Sequence, residues 1–368
     1  MKVHIAKTLT TAVAVCSLLA NTANACTGLT LKAQDGAVVF GRTMEWGNFD
    51  LQSRVVIVPR GHALKATTPD GQAGHTWTAS YGAVGLDAVE KDFLVDGMNE
   101  KGLSVSAFYH PGYAEYRAYD SSKASTTISS LDVVQYLLTT TATVDAARKA
   151  IAVVTVVGVV EPSIGLAPPL HMMVTEPSGK AIVIEFAKGE VQIYDAPLGV
   201  ITNSPTYDWH VINLRNYVNL SPVAIPSKKV EDLNFAPLGG GSGMIGLPGD
   251  FTPPSRFVRA VAFAKTARPL ANGTETMYEL FRILDNFNIP LGAAEGEGES
   301  KVKGLRSSTL WTTGYDTKNL VMQYHTMHNR RVRQVDLKKI EFAAQKQLVR
   351  LPLDQHKSQD ILDVTPRR

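Results

Sequence analysis

One residue of this 368-residue chain has both the type and the position for covalent chemistry. Cys26 directly follows Ala23-Asn24-Ala25, the small-x-small pattern that signal peptidases read. Upstream, Lys2 and Lys7 make a short positive region, and Thr8 to Ala20 is uncharged and mostly apolar. That composition suits the apolar region of a secretory signal. Residues 1–25 are therefore expected to be removed, leaving residues 26–368 as one mature domain that begins with Cys26. Cys16, the other cysteine, would leave with the signal, so the mature chain would hold a single thiol and no internal disulfide.

A free thiol is a weak nucleophile at neutral pH, because its pKa is about 8.5. At a processed N-terminus it carries its own base, since an α-amine titrates near roughly 7.7–8.0 and is partly neutral at pH 7. Before cleavage that nitrogen is an amide without basicity, so removal of the signal would switch the nucleophile on. Two blander readings stand beside this one. A cysteine after a signal can be a lipid anchor, although Ala23 and Asn24 fit a lipobox poorly. It can also be a small core residue. The cleavage region by itself leaves all three open.

The elements that would position Cys26 read as follows. Residues 27–43 form a β-hairpin around the turn Gln34-Asp35-Gly36, with Cys26 at its start. A second hairpin pairs Phe93 to Val95 with Leu103 to Tyr109 across residues 97–102. Helices are expected at 131–140 and 144–152, capped by Ser130 and Thr143, and the apolar run 151–160 reads as a helix end entering a buried strand. Strands follow at 171–175, 181–186 and 191–195, then helices at 207–219, 256–267 (behind Ser255) and 276–287. Strands return at 308–313, 320–325 and 332–337, and the tail after Lys339 has no readable pattern. Hairpin-linked strands with helix pairs between them point to an α+β fold with antiparallel sheets.

Composition narrows the function. Hydrophobic residues make up 44% and charged residues 19%, the balance of a folded globular protein. Taking Lys2 and Lys7 from the 37 basic residues leaves 35 against 34 acidic ones, a net of +1. Nothing there draws the mature chain to nucleic acid or to a membrane surface. The glycines at 239–241 and 243 lack the Gly-Lys-Ser/Thr of a phosphate loop. His171, His325 and His328 match no metal-binding spacing and read as strand histidines. Ser106, Ser204 and Ser255 lack a nucleophile elbow. Of Trp46, Trp77, Trp209 and Trp311, only Trp46 lies close enough to the chemistry to line a pocket.

Cys26-Thr27-Gly28-Leu29 followed by Phe40-Gly41-Arg42-Thr43-Met44-Glu45-Trp46 resembles the start of the choloylglycine hydrolase family, which holds penicillin V acylases and conjugated bile salt hydrolases. Four further blocks agree in family order: Asp96 to Leu103, Thr202-Asn203-Ser204-Pro205, Leu247 to Asp250 with Ser255-Arg256-Phe257, and Thr312 to Leu337. The resemblance implies an αββα sandwich of N-terminal-nucleophile hydrolases, with two antiparallel sheets between helix layers. It implies Cys26 as nucleophile, with its own α-amine as base. Arg42 would sit beside the thiol and favour thiolate. Glu45, where the family more usually has Asp, would hold the α-amine with a longer side chain. The Asn203 side chain and the Tyr109 backbone N–H would bind the oxyanion, and Arg256 would support the charge at the centre. Tyr is common at the Tyr109 position in penicillin V acylases, and Asn in bile salt hydrolases.

The reaction so implied is hydrolysis of linear N-acyl amides through a thioester, without metal or organic cofactor. Penicillin V and N-acyl-homoserine lactones are the expected substrates, with conjugated bile salts second. The bacterial-type signal places the enzyme in the periplasm or outside the cell, with no stable membrane association. The resemblance also implies a homotetramer. A Cys26-anchored lipoprotein binding module is the non-enzyme alternative.

Overall fold

The computed structural model describes residues 25–294, 305–344 and 346–366. Apart from Ala25, the expected signal lies outside them. Among the described residues fourteen strands form two large antiparallel sheets, numbered here in chain order. The first sheet holds β1 (Cys26–Lys32), β2 (Val38–Glu45), β10 (Val200–Ile201), β11 (Thr309–Asp316), β12 (Val321–Thr326) and β13 (Arg333–Asp336), in the order β10-β1-β2-β11-β12-β13. The second holds β3 (Arg54–Val58), β4 (Ala83–Asp87), β5 (Leu94–Asn99), β6 (Ser104–Tyr109), β7 (Leu170–Thr175), β8 (Ala181–Ala187), β9 (Glu190–Asp195) and β14 (Val349–Pro352). Its order is β9-β8-β7-β6-β5-β4-β3-β14.

Helices cover the outer faces. On the second sheet lie α1 (Val133–Thr140) and α2 (Val144–Ala152); on the first lie α4 (Pro253–Thr266) and α5 (Gly273–Leu284). A short α3 (Tyr207–Asn213) packs against α4. The result is the αββα sandwich, with one apolar core between the sheets and a second under α1 and α2. Burial on both faces explains why β2 and β11 are buried along their whole length. Among the described residues no helix is long and apolar enough to cross a membrane.

The hairpin of β1 and β2 pairs Cys26 with Met44 and Gly28 with Arg42. Gly28 is required there, since a Cβ would meet the Phe108 ring at 2.7 Å. Gly41 likewise lets α5 lie close, since a Cβ would stand 2.6 Å from the Thr313 carbonyl and 2.7 Å from Leu280.

Several boundaries differ from expectation for physical reasons. The second hairpin is tighter: residues 97–99 belong to β5, because Asn99 caps the turn by accepting from the N–H groups of Lys101 and Leu103 and donates to the Leu138 and Thr141 carbonyls. The N-cap of α1 is Asp132, not Ser130, and its carboxylate accepts from Ser129 N–H. Thr143 caps α2 as expected, accepting from Ala146 N–H at 3.1 Å. Pro253 and Pro254 start α4 three residues early, at positions whose N–H groups have no helical partner. α3 tightens into a 3-10 turn at Leu214–Tyr217. The unreadable tail supplies β14, an edge strand on β3.

Candidate active site

Four separate segments bring the expected residues together. Cys26 opens β1, Asn203 follows β10, Arg256 sits in the first turn of α4, and Tyr109 ends β6. Asn203 is the hub. Its Oδ1 accepts from the Cys26 backbone nitrogen at 2.8 Å and from Arg256 Nη2 at 2.6 Å, while its Nδ2 donates to the Tyr109 carbonyl at 2.7 Å. Arg256 donates further to the Cys26 carbonyl at 2.5 Å and to Thr27 Oγ1 at 2.9 Å. Burial pulls Arg256 down to about 10, with Glu45 and Cys26 opposing, so it stays cationic at neutral pH.

The direction of the Tyr109 backbone N–H follows from strand register. Tyr109 faces Leu170 across the β6–β7 ladder, and the next residue, His110, donates its N–H to the Pro169 carbonyl at 2.7 Å. Hydrogen-bonded and non-bonded pairs alternate in an antiparallel ladder. Tyr109 is thus a non-bonded pair, and its N–H points away from β7, the side on which its carbonyl meets Asn203. Leu170 confirms the alternation by donating its N–H to Tyr116 Oη instead of to β6.

Glu45 is wholly buried at the end of β2. Its Oε1 accepts from Thr309 Oγ1 at 2.9 Å, and its Oε2 has no partner. Burial raises its pKa to about 7, with Arg256 as the largest opposing influence. Arg42 is also fully buried, but does not touch the thiol. Nη1 donates to the Ala107 carbonyl at 2.7 Å, and the guanidinium lies over the Phe108 ring at 4.5 Å and the Trp311 ring at 5.1 Å. The Met44 sulfur stands between, 3.5 Å from Arg42 Nη2 and 4.0 Å from Cys26 Sγ. The expected direct contact is therefore replaced by a contact through a polarisable thioether.

Cys26 opens onto an apolar cavity of about 60 Å³ lined by Met44, Trp46, Phe93, Val95, Tyr109 and Leu170, among others. The Trp46 ring meets Tyr109 and Phe49 edge-on at 5.7 and 5.9 Å. As it stands the cavity is smaller than the roughly 150 Å³ that takes a benzene, so its lining must move to admit an acyl group. Larger hollows of about 380 and 320 Å³ lie elsewhere and do not include Cys26.

His171 is the strand histidine that the sequence suggests, while its buried neighbours behind the Asn203 loop, His110 and His210, were missed. His110, His171 and Glu185 place three potential metal-ligating atoms within 4.8 Å of one another, and His210 lies beside them. A carboxylate inside the apolar run Ala181–Ala187 was the available signal.

The comparisons with known proteins identify the family. Residues 26–350 match the profile of the linear amide C–N hydrolases, choloylglycine hydrolase family. A bile salt hydrolase/transferase of Clostridium perfringens is 31% identical over 318 residues, spanning 85% of this chain and 93% of that protein. A penicillin V acylase of Pectobacterium atrosepticum is 27% identical over 325 residues, spanning 83% and 78%. Among solved structures, a substituted conjugated bile acid hydrolase from Clostridium perfringens covers 92% of this chain and 100% of its own, at 28% identity and a TM-score of 0.78. The penicillin V acylase of Agrobacterium tumefaciens, at 22% identity and a TM-score of 0.71 over 91% and 95%, shares the fold. The chain belongs to the choloylglycine hydrolase family and is a hydrolase of linear amide C–N bonds.

Proposed function

We propose that this amide hydrolase works through Cys26 once the residues before it are removed. The observation that carries the reading is the hydrogen-bonded cluster of Cys26, Asn203, Arg256 and Tyr109 at the mouth of an apolar cavity. The freed α-amine takes the thiol proton, and Cys26 Sγ attacks the acyl carbon. Asn203 Nδ2 and the Tyr109 N–H hold the resulting oxyanion. The tetrahedral centre collapses, the C–N bond breaks, and the ammonium returns the proton to the departing amine. Water, deprotonated by the same amine, then hydrolyses the thioester and regenerates the thiol.

The remaining residues fit supporting roles. Cleavage turns the Cys26 amide N–H into an amine with further donors, and the unpartnered Glu45 Oε2 lies in the same cavity wall to accept one. Arg256 fixes the Cys26 carbonyl and Asn203. Arg42, acting through Met44, supplies positive charge on the other side.

The substrate is an N-acyl amide with an apolar acyl group. The edge-on aromatics Trp46 and Tyr109 favour phenoxyacetyl or aliphatic acyl groups, as in penicillin V or N-acyl-homoserine lactones, over the steroid acids of bile salts. The bile salt hydrolases among the relatives keep that class as the second reading. A signal over residues 1–25 implies a periplasmic or secreted enzyme, with residues 26–368 as its one domain; the family match beginning at Cys26 supports this. The exposed apolar side chains Val230, Leu233 and Phe235, on a two-stranded hairpin, support self-association, which the homotetramer implied by the resemblance would satisfy.

The test is the exported protein and its Cys26→Ala variant on penicillin V, an N-acyl-homoserine lactone and glycocholate, with intact mass of the N-terminus. Turnover by a chain starting at unmodified Cys26, and none by folded Cys26→Ala, is expected. Full activity of that variant, or a lipid adduct on Cys26, ends the proposal.

A further inference from the structure

Two buried imidazoles hold the Asn203 loop from behind. His171 Nε2 lies 3.0 Å from the Thr202 carbonyl, and His210 Nε2 lies 2.9 Å from the Asn203 carbonyl. A carbonyl oxygen only accepts, so each Nε2 carries the hydrogen. Asn203 thus has both its backbone and its side chain tied, the backbone by histidines of β7 and α3.

His171 has a second obligation. Its Nδ1 faces Glu185 Oε1 at 3.3 Å, and that oxygen already accepts from the Tyr207 N–H at 2.8 Å. A neutral imidazole has one N–H, yet His171 meets an oxygen at each nitrogen. Both contacts are hydrogen bonds only if a further proton lies between Nδ1 and Glu185. A metal ion fits less well. The His110 and His171 rings stack at 4.1 Å with 14° between their planes, so their lone pairs run side by side and do not converge.

We propose that His171, Glu185 and His210 are positioning residues for Asn203, and that a proton shared between His171 and Glu185 locks the Thr202–Asn203 backbone in its working place. Burial holds His171 down to about 4 and raises Glu185, so burial works against a bare carboxylate facing an unprotonated Nδ1. The groups facing the pair are His110 at the end of β6, His210 and Asp208 of α3, Tyr194 of β9 and, beyond His210, Arg256 of α4. Rising pH removes the shared proton. A lone pair then faces either Glu185 or the Thr202 carbonyl, and the loop loosens. The proton therefore sets an alkaline limb on kcat.

The inference rests on the reading of Asn203 as an oxyanion donor. The experiment measures kcat and KM from pH 5 to 10, on whichever amide the enzyme turns over fastest, for wild type, Glu185→Gln, Glu185→Ala, His171→Ala and Asn203→Ala. Because the single oxygen Oε1 meets both His171 Nδ1 and the Tyr207 N–H, a Gln side chain can serve one of them and not both, but it has no proton to lose over this pH range. Glu185→Gln is expected to lose part of kcat, since one of the two contacts goes unmade, and to flatten the alkaline limb. Glu185→Ala and His171→Ala are expected to lose about tenfold or more in kcat with KM little changed. Nitrogen-15 spectra of the unmodified protein's histidines follow the His171 ring over the same range and need no variant to fold. A ring whose state does not change where kcat falls overturns the proposal. So does a Glu185→Gln enzyme that keeps the wild-type alkaline limb. If Asn203→Ala keeps full kcat, the oxyanion reading fails first; if it falls while folded His171→Ala does not, only this inference fails.

Discussion

Substituting Asn203 separates a catalytic donor from a turn residue, because its two ends do different work. The Nδ2 end points to the Tyr109 carbonyl and is the donor proposed for the oxyanion; the Oδ1 end ties Cys26 and Arg256. Removing one oxyanion donor costs about 10²–10³ in kcat, or roughly 3–4 kcal/mol of transition-state stabilisation. Asn203→Ala also strips partners from two buried donors, one on a cation, at roughly 1–3 kcal/mol each and more for the charge. It should therefore lose both activity and several degrees of Tm. Asn203→Asp is the sharper variant. It keeps oxygen acceptors for Cys26 and Arg256 and nearly the same shape, but has no N–H and places negative charge where the oxyanion forms. Its second oxygen would face the Tyr109 carbonyl, so Tm should fall too, but less than in the Ala variant because the ties to Cys26 and Arg256 remain, while kcat falls at least as far and KM changes little. Steady-state kinetics on the best amide, with thermal melts alongside, read both. A folded Asn203→Asp enzyme with kcat within about fivefold of wild type would refute the assignment.

Three other outcomes follow from the same geometry. Tyr109→Ala keeps the backbone N–H but loses the edge-on contact with Trp46, worth roughly 0.5–1.5 kcal/mol, so KM should rise about two- to tenfold with kcat nearly unchanged; a collapse of kcat in a folded variant would contradict a main-chain role. Glu45, moved by burial from 4.5 to about 7, binds a proton in the folded chain that the unfolded chain has lost. In a precursor that keeps the Ala25–Cys26 bond, stability should accordingly fall by roughly 3 kcal/mol as pH rises from below 4.5 through 7, and denaturant titrations of Glu45→Gln should lack that decline. Met44→Leu removes the sulfur between Arg42 and Cys26 at nearly constant volume; iodoacetamide should then alkylate Cys26 more slowly, with Tm shifted by less than about 1.5 kcal/mol would cause. An unchanged alkylation rate would show that Arg42 does not act on the thiol through Met44.

Local signals carried the fold well. The Gln34-Asp35-Gly36 turn marked the first hairpin, and Thr143 marked the start of α2 within one residue. What failed was local competition: Asn99 spends its side chain on capping, so the second hairpin closes later than its glycines imply. The strands β3 and β4 and the edge strand β14 carry too little alternation to announce themselves, since burial or pairing with a distant segment decides them. The site itself was legible only as blocks. Nothing in periodicity says that Cys26, Asn203 and Arg256 meet, because their contacts span 177 and 230 residues. Family resemblance supplied that. It placed Arg42 against the thiol, and the intervening Met44 sulfur became visible only in packing. The histidines behind Asn203 matched no spacing rule, since their partners are backbone carbonyls.

The order of strands in the first sheet bears on how the protein comes into being. β2 lies between β1, its sequence neighbour, and β11, whose Thr309 bonds Glu45 across 264 positions. During synthesis, then, the nucleophile's hairpin must wait with one edge bare until almost the whole chain has emerged. Such distant pairing makes for slow, late closure and for a partly built sheet that can stick to other chains. A fragment ending before residue 309 would keep Cys26, Asn203 and Arg256 yet lack the strand that seals Glu45, so activity should appear only when about the last sixth of the chain has docked.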